Sequence, residues 1–98
     1  MTSHTVRVEL HDADDDDYED LHAAMAERGF VRWIKDKDGN KYQLPTAEYN
    51  LPSSSLNRSQ VRDRAEEGAK SVKPKPTPWV LVTESDGRSW SGLKPWKD

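Results

Sequence analysis

The sequence predicts an α+β fold of order β-α-β-β-α-β, with two helices on one face of a four-stranded antiparallel sheet, the ferredoxin-like arrangement. Three observations predict it. Residues 5–10 alternate apolar and polar side chains, the period-2 pattern of a half-buried strand. Two segments, DYEDLHAAMAERG and LNRSQVRDRAEEGAKSV, combine a polar cap with an apolar stripe at helical spacing. Between them the turn DKDGN joins two strand-like segments, and Gly39 and Asn40 accept positive φ at little cost.

In the first strand Val6, Val8 and Leu10 share one face while Arg7 and Glu9 share the other. The run DADDDD then leads into a helix predicted over residues 18–28, capped by Asp16 or Asp17, its acidic first turn matching the positive end of the helix dipole. Tyr18, Leu21 and Met25 mark its buried stripe, with Ala24 beside them, and Gly29 is placed to end it in a left-handed conformation. A second strand is expected at residues 30–35. The third begins near Lys41 and runs through YQLPTAEYNL, with a bulge or kink at Pro45, because proline cannot donate to a sheet ladder. Asn57 and Gln60 predict a capping box for the second helix, and Leu56 with Val61 a hydrophobic staple. Val61, Ala65, Ala69 and Val72 form a narrow seam that lets this helix sit close to a sheet, although Gly68 weakens it by roughly 1 kcal/mol relative to Ala. Residues 73–78 (KPKPTP) read as an extended linker and residues 79–84 as the last strand. Residues 91–98 read as a polar Trp-bearing tail, and a short fifth strand is allowed at 88–91. The whole chain, 1–98, is expected to be one domain.

Composition narrows the function classes. Hydrophobic residues make up 33% of the 98 positions and charged residues 34%, and there is no cysteine. Leu, Ile, Val and Phe together number sixteen, under the rough 20% level that accompanies disorder. The net charge is only −3, however, and four Trp and three Tyr add volume, each large aromatic burying roughly 150–250 Å². A folded but thin-cored domain follows, for which a homodimer is the expected help. Without cysteine there is no disulfide scaffold, no thiol nucleophile and no zinc–thiolate site. No apolar run has the form of a signal peptide or a membrane span, so a cytoplasmic protein without membrane contact is expected. The balance is −6 over residues 1–56 and +3 over residues 57–98. A broad footprint for nucleic acid is missing: no DNA partner is expected, and any RNA contact would be local.

Candidate chemistry lies in the acidic run and the histidines. Read as calcium loops, the registers starting at Asp12 and Asp36 both fail, placing Asp17 or Lys41 where glycine belongs and Ala23 or Ala47 where glutamate belongs. A looser Mg²⁺ site built on Asp12 and Asp14 stays open beside the plainer reading of a solvated loop and helix cap; no other cofactor is expected. His22 on the first helix and His11 at the end of the first strand titrate near neutrality and are candidates for base and acid in RNA transesterification. Arg28, Arg32 or Lys35 would steady the charge of the phosphorane. Six positions separate His22 from Arg28, a turn of about 240° around a helix, so Arg32 is an equal candidate for the cation. His22 as general base would contribute about 10²–10⁴-fold in rate. No Gly-x-Ser-x-Gly elbow and no glycine-rich phosphate loop is present. Trp33, Tyr42, Tyr49, Trp79, Trp90 and Trp96 either fill the core, as expected for most of them, or stack bases from a sheet face.

The ordered segments TVRVELHDA, DYEDLHAAMAERGF, DGNKYQLPTAEYN, SSLNRSQVRDRAEEGAKSV and WVLVTESDGRSW resemble a group of small bacterial proteins of unknown function classed with the GhoS-type antitoxins. The resemblance spans about residues 4–91, and its most specific pieces are YQLPTAEY and the helix start LNRSQV. It implies a ferredoxin-like fold akin to the CRISPR adaptation nucleases and a type V toxin–antitoxin role, in which a sequence-selective endoribonuclease destroys the messenger of a small membrane toxin. Where that type carries basic residues in its first helix, this helix offers His22 between Tyr18 and Met25. The reaction would be metal-independent if His22 and Arg28 act, and metal-assisted if Asp12 acts. The alternative is a non-catalytic ferredoxin-like interaction module, homodimeric, whose basic second half meets an acidic partner.

Overall fold

The computed structural model describes residues 2–85 and 87–97. Seven elements follow one another: β1 (Thr2–Glu9), α1 (Asp15–Glu27), β2 (Trp33–Lys35), β3 (Lys41–Gln43), β4 (Glu48–Ser54), α2 (Arg58–Val72) and β5 (Trp79–Ser85). The fold is mixed α+β, with an antiparallel three-stranded sheet of order β4-β1-β5 and a two-stranded β2-β3 hairpin.

The alternation in β1 sets the layering. Val6 pairs with Tyr49 and Val82, and Val8 with Val80, so these side chains share the face that the helices cover. Thr5 pairs with Asn50 and Thr83, and Arg7 with Glu48 and Leu81, on the opposite face. Val6, Val8, Leu21, Met25, Tyr49, Val61, Ala65 and Ala69 are wholly shielded from water and form the centre of the core. The aromatics contribute less to it than their number suggests: of the six weighed above, Tyr49 alone is fully buried, and Trp79 is 66% exposed.

Helix α1 begins earlier than predicted. Asp14, not Asp16 or Asp17, is the N-cap: its carboxylate accepts the Asp17 N–H at 2.9 Å, and the Asp17 carboxylate accepts the Asp14 N–H at 3.2 Å. This register puts Asp15, Asp16 and Asp17 in the first turn, where the helix dipole favours them. Gly29, at φ +89°, ends the helix as expected. In α2 the predicted capping box is present, with Asn57 and Gln60 exchanging two 2.9 Å bonds. A Cβ at Gly68 would lie 3.1 Å from Met25 Sδ and 3.3 Å from Arg28 Cδ, so this glycine allows α2 to close on α1.

The predicted third strand divides into two. Trp33 pairs with Gln43 and Val31 bridges to Asn50, so two residues on one side span seven on the other. The extra residues fold into a turn at Pro45, closed by the Glu48 N–H donating to the Pro45 carbonyl at 2.9 Å. Beyond that turn the chain leaves the hairpin and joins β1. The hairpin's own turn is held by Asp36, whose carboxylate accepts the Asn40 and Asp38 N–H groups at 2.9 Å each, with Gly39 at φ +85°.

Residues 88–91 form no strand. Residues 87–97 instead make a strap over the helix-free face of the sheet. Arg88 donates from Nε to Thr5 Oγ1 and from Nη2 to Asn50 Oδ1, both at 2.9 Å, and so pins the strap to β1 and β4. Trp90 then packs on Tyr42, with ring centroids 5.7 Å apart, and Pro95 bridges to Tyr42. The Gln43 N–H donates to the Lys94 carbonyl at 2.8 Å, and the Trp96 N–H to the Lys41 carbonyl at 3.0 Å. The tail is thereby built onto the hairpin. Among the described residues no helix is long and apolar enough to cross a membrane.

Candidate functional site

The fold brings together three side chains from three parts of the chain. His22 lies on the sheet-facing side of α1, next to the buried Leu21; Tyr49 points up from β4 beneath it; Arg32 precedes β2. Because β4 alternates like β1, Tyr49 faces the helices, and its hydroxyl meets His22 Nδ1 at 2.5 Å, with the rings tilted by 59°.

Electrostatics fixes the charge state of this pair. Burial raises the Tyr49 pKa, so the hydroxyl stays protonated and can either donate to Nδ1 or accept from it. The His22 pKa is lowered, first by burial and then by the Arg32 charge, with Glu19 pulling the other way. At neutral pH the imidazole is therefore uncharged, and when Nδ1 accepts from Tyr49 the ring proton sits on Nε2. In this tautomer His22 offers an N–H donor beyond the tyrosine. In the sequence His22 reads as a general base; in this tautomer it is a donor, through contact with a residue 27 positions away.

Arg32 carries a second signal. Its Nε is buried without a hydrogen-bond acceptor among the described residues, and a buried unsatisfied donor typically costs about 1–3 kcal/mol. Arg32 also lines a cleft of about 510 Å³ with Gln43, Lys94, Pro95, Trp96 and Lys97. Lys35 and Lys41 stand nearby over the Trp33 ring, at 5.6 and 4.3 Å from its centroid.

The other predicted candidates lie elsewhere. Arg28 turns toward α2: its Nε meets Glu67 Oε1 at 3.2 Å, and its Nη1 donates to the Ala24 carbonyl at 2.9 Å. It follows the last turn of α1, on a different side from His22, as the 240° offset allowed. His11 packs edge-on against Trp79, with centroids 4.4 Å apart and its Nε2 buried without a partner. It belongs to the start of β5 rather than to the His22 cluster. Of the two carboxylates read as an Mg²⁺ site, Asp14 is engaged by the α1 cap and Asp12 stays exposed, and no group of three His, Asp or Glu side chains able to hold a metal ion occurs among the described residues.

Sequence reasoning missed the part played by Tyr49, Lys94 and Lys97. Tyr49 was noted only as an aromatic, and two lysines in a polar tail carry no spacing signal. No protein-family model matches the chain, and no curated protein matches it.

Proposed function

We propose that this chain is a GhoS-like antitoxin that recognises RNA and cuts it without metal, and that its architecture is the ferredoxin-like one. In the ferredoxin-like order the second strand lies beside the third. The Val31–Asn50 bridge next to β4 supports this reading, with the second strand reduced at that point to a single bridge. The observation that carries the functional reading is the His22–Tyr49–Arg32 cluster, in which an uncharged imidazole bound to a tyrosine hydroxyl feels the charge of a guanidinium.

In the proposed reaction the ribose 2′-oxygen attacks the adjacent phosphorus and the bond from phosphorus to the 5′-oxygen breaks. The products are a 2′,3′-cyclic phosphate and a 5′-hydroxyl. Water takes the 2′-hydroxyl proton, and water returns a proton to the departing oxygen. His22 Nε2–H and the Arg32 guanidinium donate to the non-bridging oxygens, where charge grows in the transition state. The target, on the family resemblance, is the messenger of a small membrane toxin.

Pure protein incubated with a mixed RNA pool and a chelator should yield fragments ending in 2′,3′-cyclic phosphate. His22→Ala and Arg32→Gln should each slow cleavage by about 10²–10³-fold, the usual effect of losing one such donor. No cleavage by the wild type overturns the reading. It would favour the alternative of a non-catalytic, homodimeric interaction module, which the exposed Trp79 and Leu81 on the edge strand β5 support (66% and 64% exposed). Sedimentation would then show the dimer.

A further inference from the structure

The cleft between β3 and the strap joins three cations to an aromatic wall. Arg32, Lys94 and Lys97 line it with Gln43, Pro95 and Trp96. None of the three cations has a carboxylate partner among the described residues. Two other grooves carry carboxylates on their linings. In the groove between α1 and α2, Arg28 is paired with Glu67, and on the face beside Trp79, Arg7 is paired with Glu9 at 2.8 Å. With three cations and no carboxylate on its lining, the cleft between β3 and the strap holds a local excess of positive charge in a chain of net charge −3. Such an excess draws an anion.

The details specify the anion further. The buried Arg32 Nε lacks an acceptor among the described residues; a phosphate oxygen would supply one with a charge-assisted bond. Gln43 adds a side chain that can both donate and accept, as an exocyclic base group requires. Trp96 and Pro95 add apolar surface, and the volume of about 510 Å³ lies within the usual range for small-molecule sites. One wall is seated by the backbone hydrogen bonds that Lys94 and Trp96 make with β3. We propose that this cleft is a nucleotide site that takes a phosphate monoester, its dianion held by Arg32, Lys94 and Lys97 and its base laid against Trp96 and Gln43. The occupant is a free nucleoside monophosphate or the phosphorylated end of an RNA. The second source rests on the RNA reading above; the first does not.

Titrations of the full chain monitored by amide and indole NMR test this without any cleavage. Four probes are used: AMP, inorganic phosphate, and one short oligoribonucleotide with and without a 5′-phosphate. AMP should bind saturably, shifting the Gln43 and Lys94 amides and the Trp96 indole, and should bind more tightly than inorganic phosphate. Lys94→Gln, at an exposed position, should weaken AMP by roughly tenfold, in line with one lost charged hydrogen bond. Arg32→Gln should do the same. If AMP binds more tightly than the phosphorylated oligonucleotide, the occupant is a free nucleotide; the reverse order identifies an RNA end. The proposal is overturned if AMP does not bind, if AMP and inorganic phosphate bind equally, or if Lys94→Gln leaves AMP affinity unchanged; equal binding of the oligonucleotide with and without its 5′-phosphate overturns the RNA-end source. Failure of the RNA-cleavage reading alone would leave AMP binding intact.

Discussion

Val6, Val8, Leu21, Met25 and Val61 lose all contact with water beneath the two helices, whereas Ile34 and Leu44 are the buried side chains of the β2–β3 hairpin region. The hairpin and strap are held instead by backbone hydrogen bonds at Gln43 and Lys41, by the Tyr42–Trp90 contact and by two lysines over Trp33. The first region resists change because every side chain fills space that another defines. The second tolerates change because water already reaches most of its groups. Stability is concentrated in one half, and the cleft cations Arg32, Lys94 and Lys97 lie in the other.

Cutting into the dry half should have the largest effect. Leu21→Ala removes a fully buried side chain and should cost about 2–5 kcal/mol in urea denaturation; a loss below about 1 kcal/mol would mean that the helices are not anchored as described. Asn57→Ala removes the α2 capping box and should cost about 1 kcal/mol.

The boundary between the halves is sensitive to acid. The His22 pKa lies below its ordinary 6.5, mainly through burial and then Arg32. As pH falls through 6.5, the unfolded chain takes the proton first, so this group's contribution to stability is present above that pH and declines below it. His22→Gln should lose less stability than the wild type between about pH 7.5 and pH 5.5. By NMR titration Arg32→Gln should raise the His22 pKa and Glu19→Gln should lower it. A His22 pKa indifferent to both changes would separate Arg32 from the cluster. At the small end, Lys41→Ala removes a cation 4.3 Å from the Trp33 centroid and should cost about 0.5–1 kcal/mol. A penalty as large as that of Leu21→Ala would erase the contrast between the halves.

The same contrast explains what was legible in the sequence. The Asn57–Gln60 box was readable because cap and partner stand within four residues of each other, and the core face of β1 because alternation is local. The α1 cap was displaced because a run of aspartates supplies several equivalent oxygens, and only the packing of Leu21 and Met25 chooses the register. Pro45 announced an interruption, but whether the chain bulges or departs into another pairing depends on β1, far away in sequence. In the candidate site, His22 and Arg32 were visible as residue types. What the imidazole does was not, because its Tyr49 partner stands 27 positions away. The strap was least legible of all, since its glycines and tryptophans look like a solvated tail until the hairpin offers them a backbone to join.

The Arg88 clasp has a kinetic consequence. Its Nε reaches Thr5 across 83 residues, but β5 already pairs with β1 up to Ser3–Ser85, so the contact itself closes only the short segment past Ser85 and adds little closure entropy. One guanidinium and a few backbone bonds hold it, while the sheet beneath is secured by the core. The strap is therefore among the last pieces to dock and the first to lift, an opening well below the free energy of global unfolding. In that lifted state the sheet is whole and one wall of the basic cleft is gone. Residence time in the cleft is then governed by how often the clasp releases, and a substitution at Arg88, Thr5 or Asn50 would change the off-rate of an occupant it never touches.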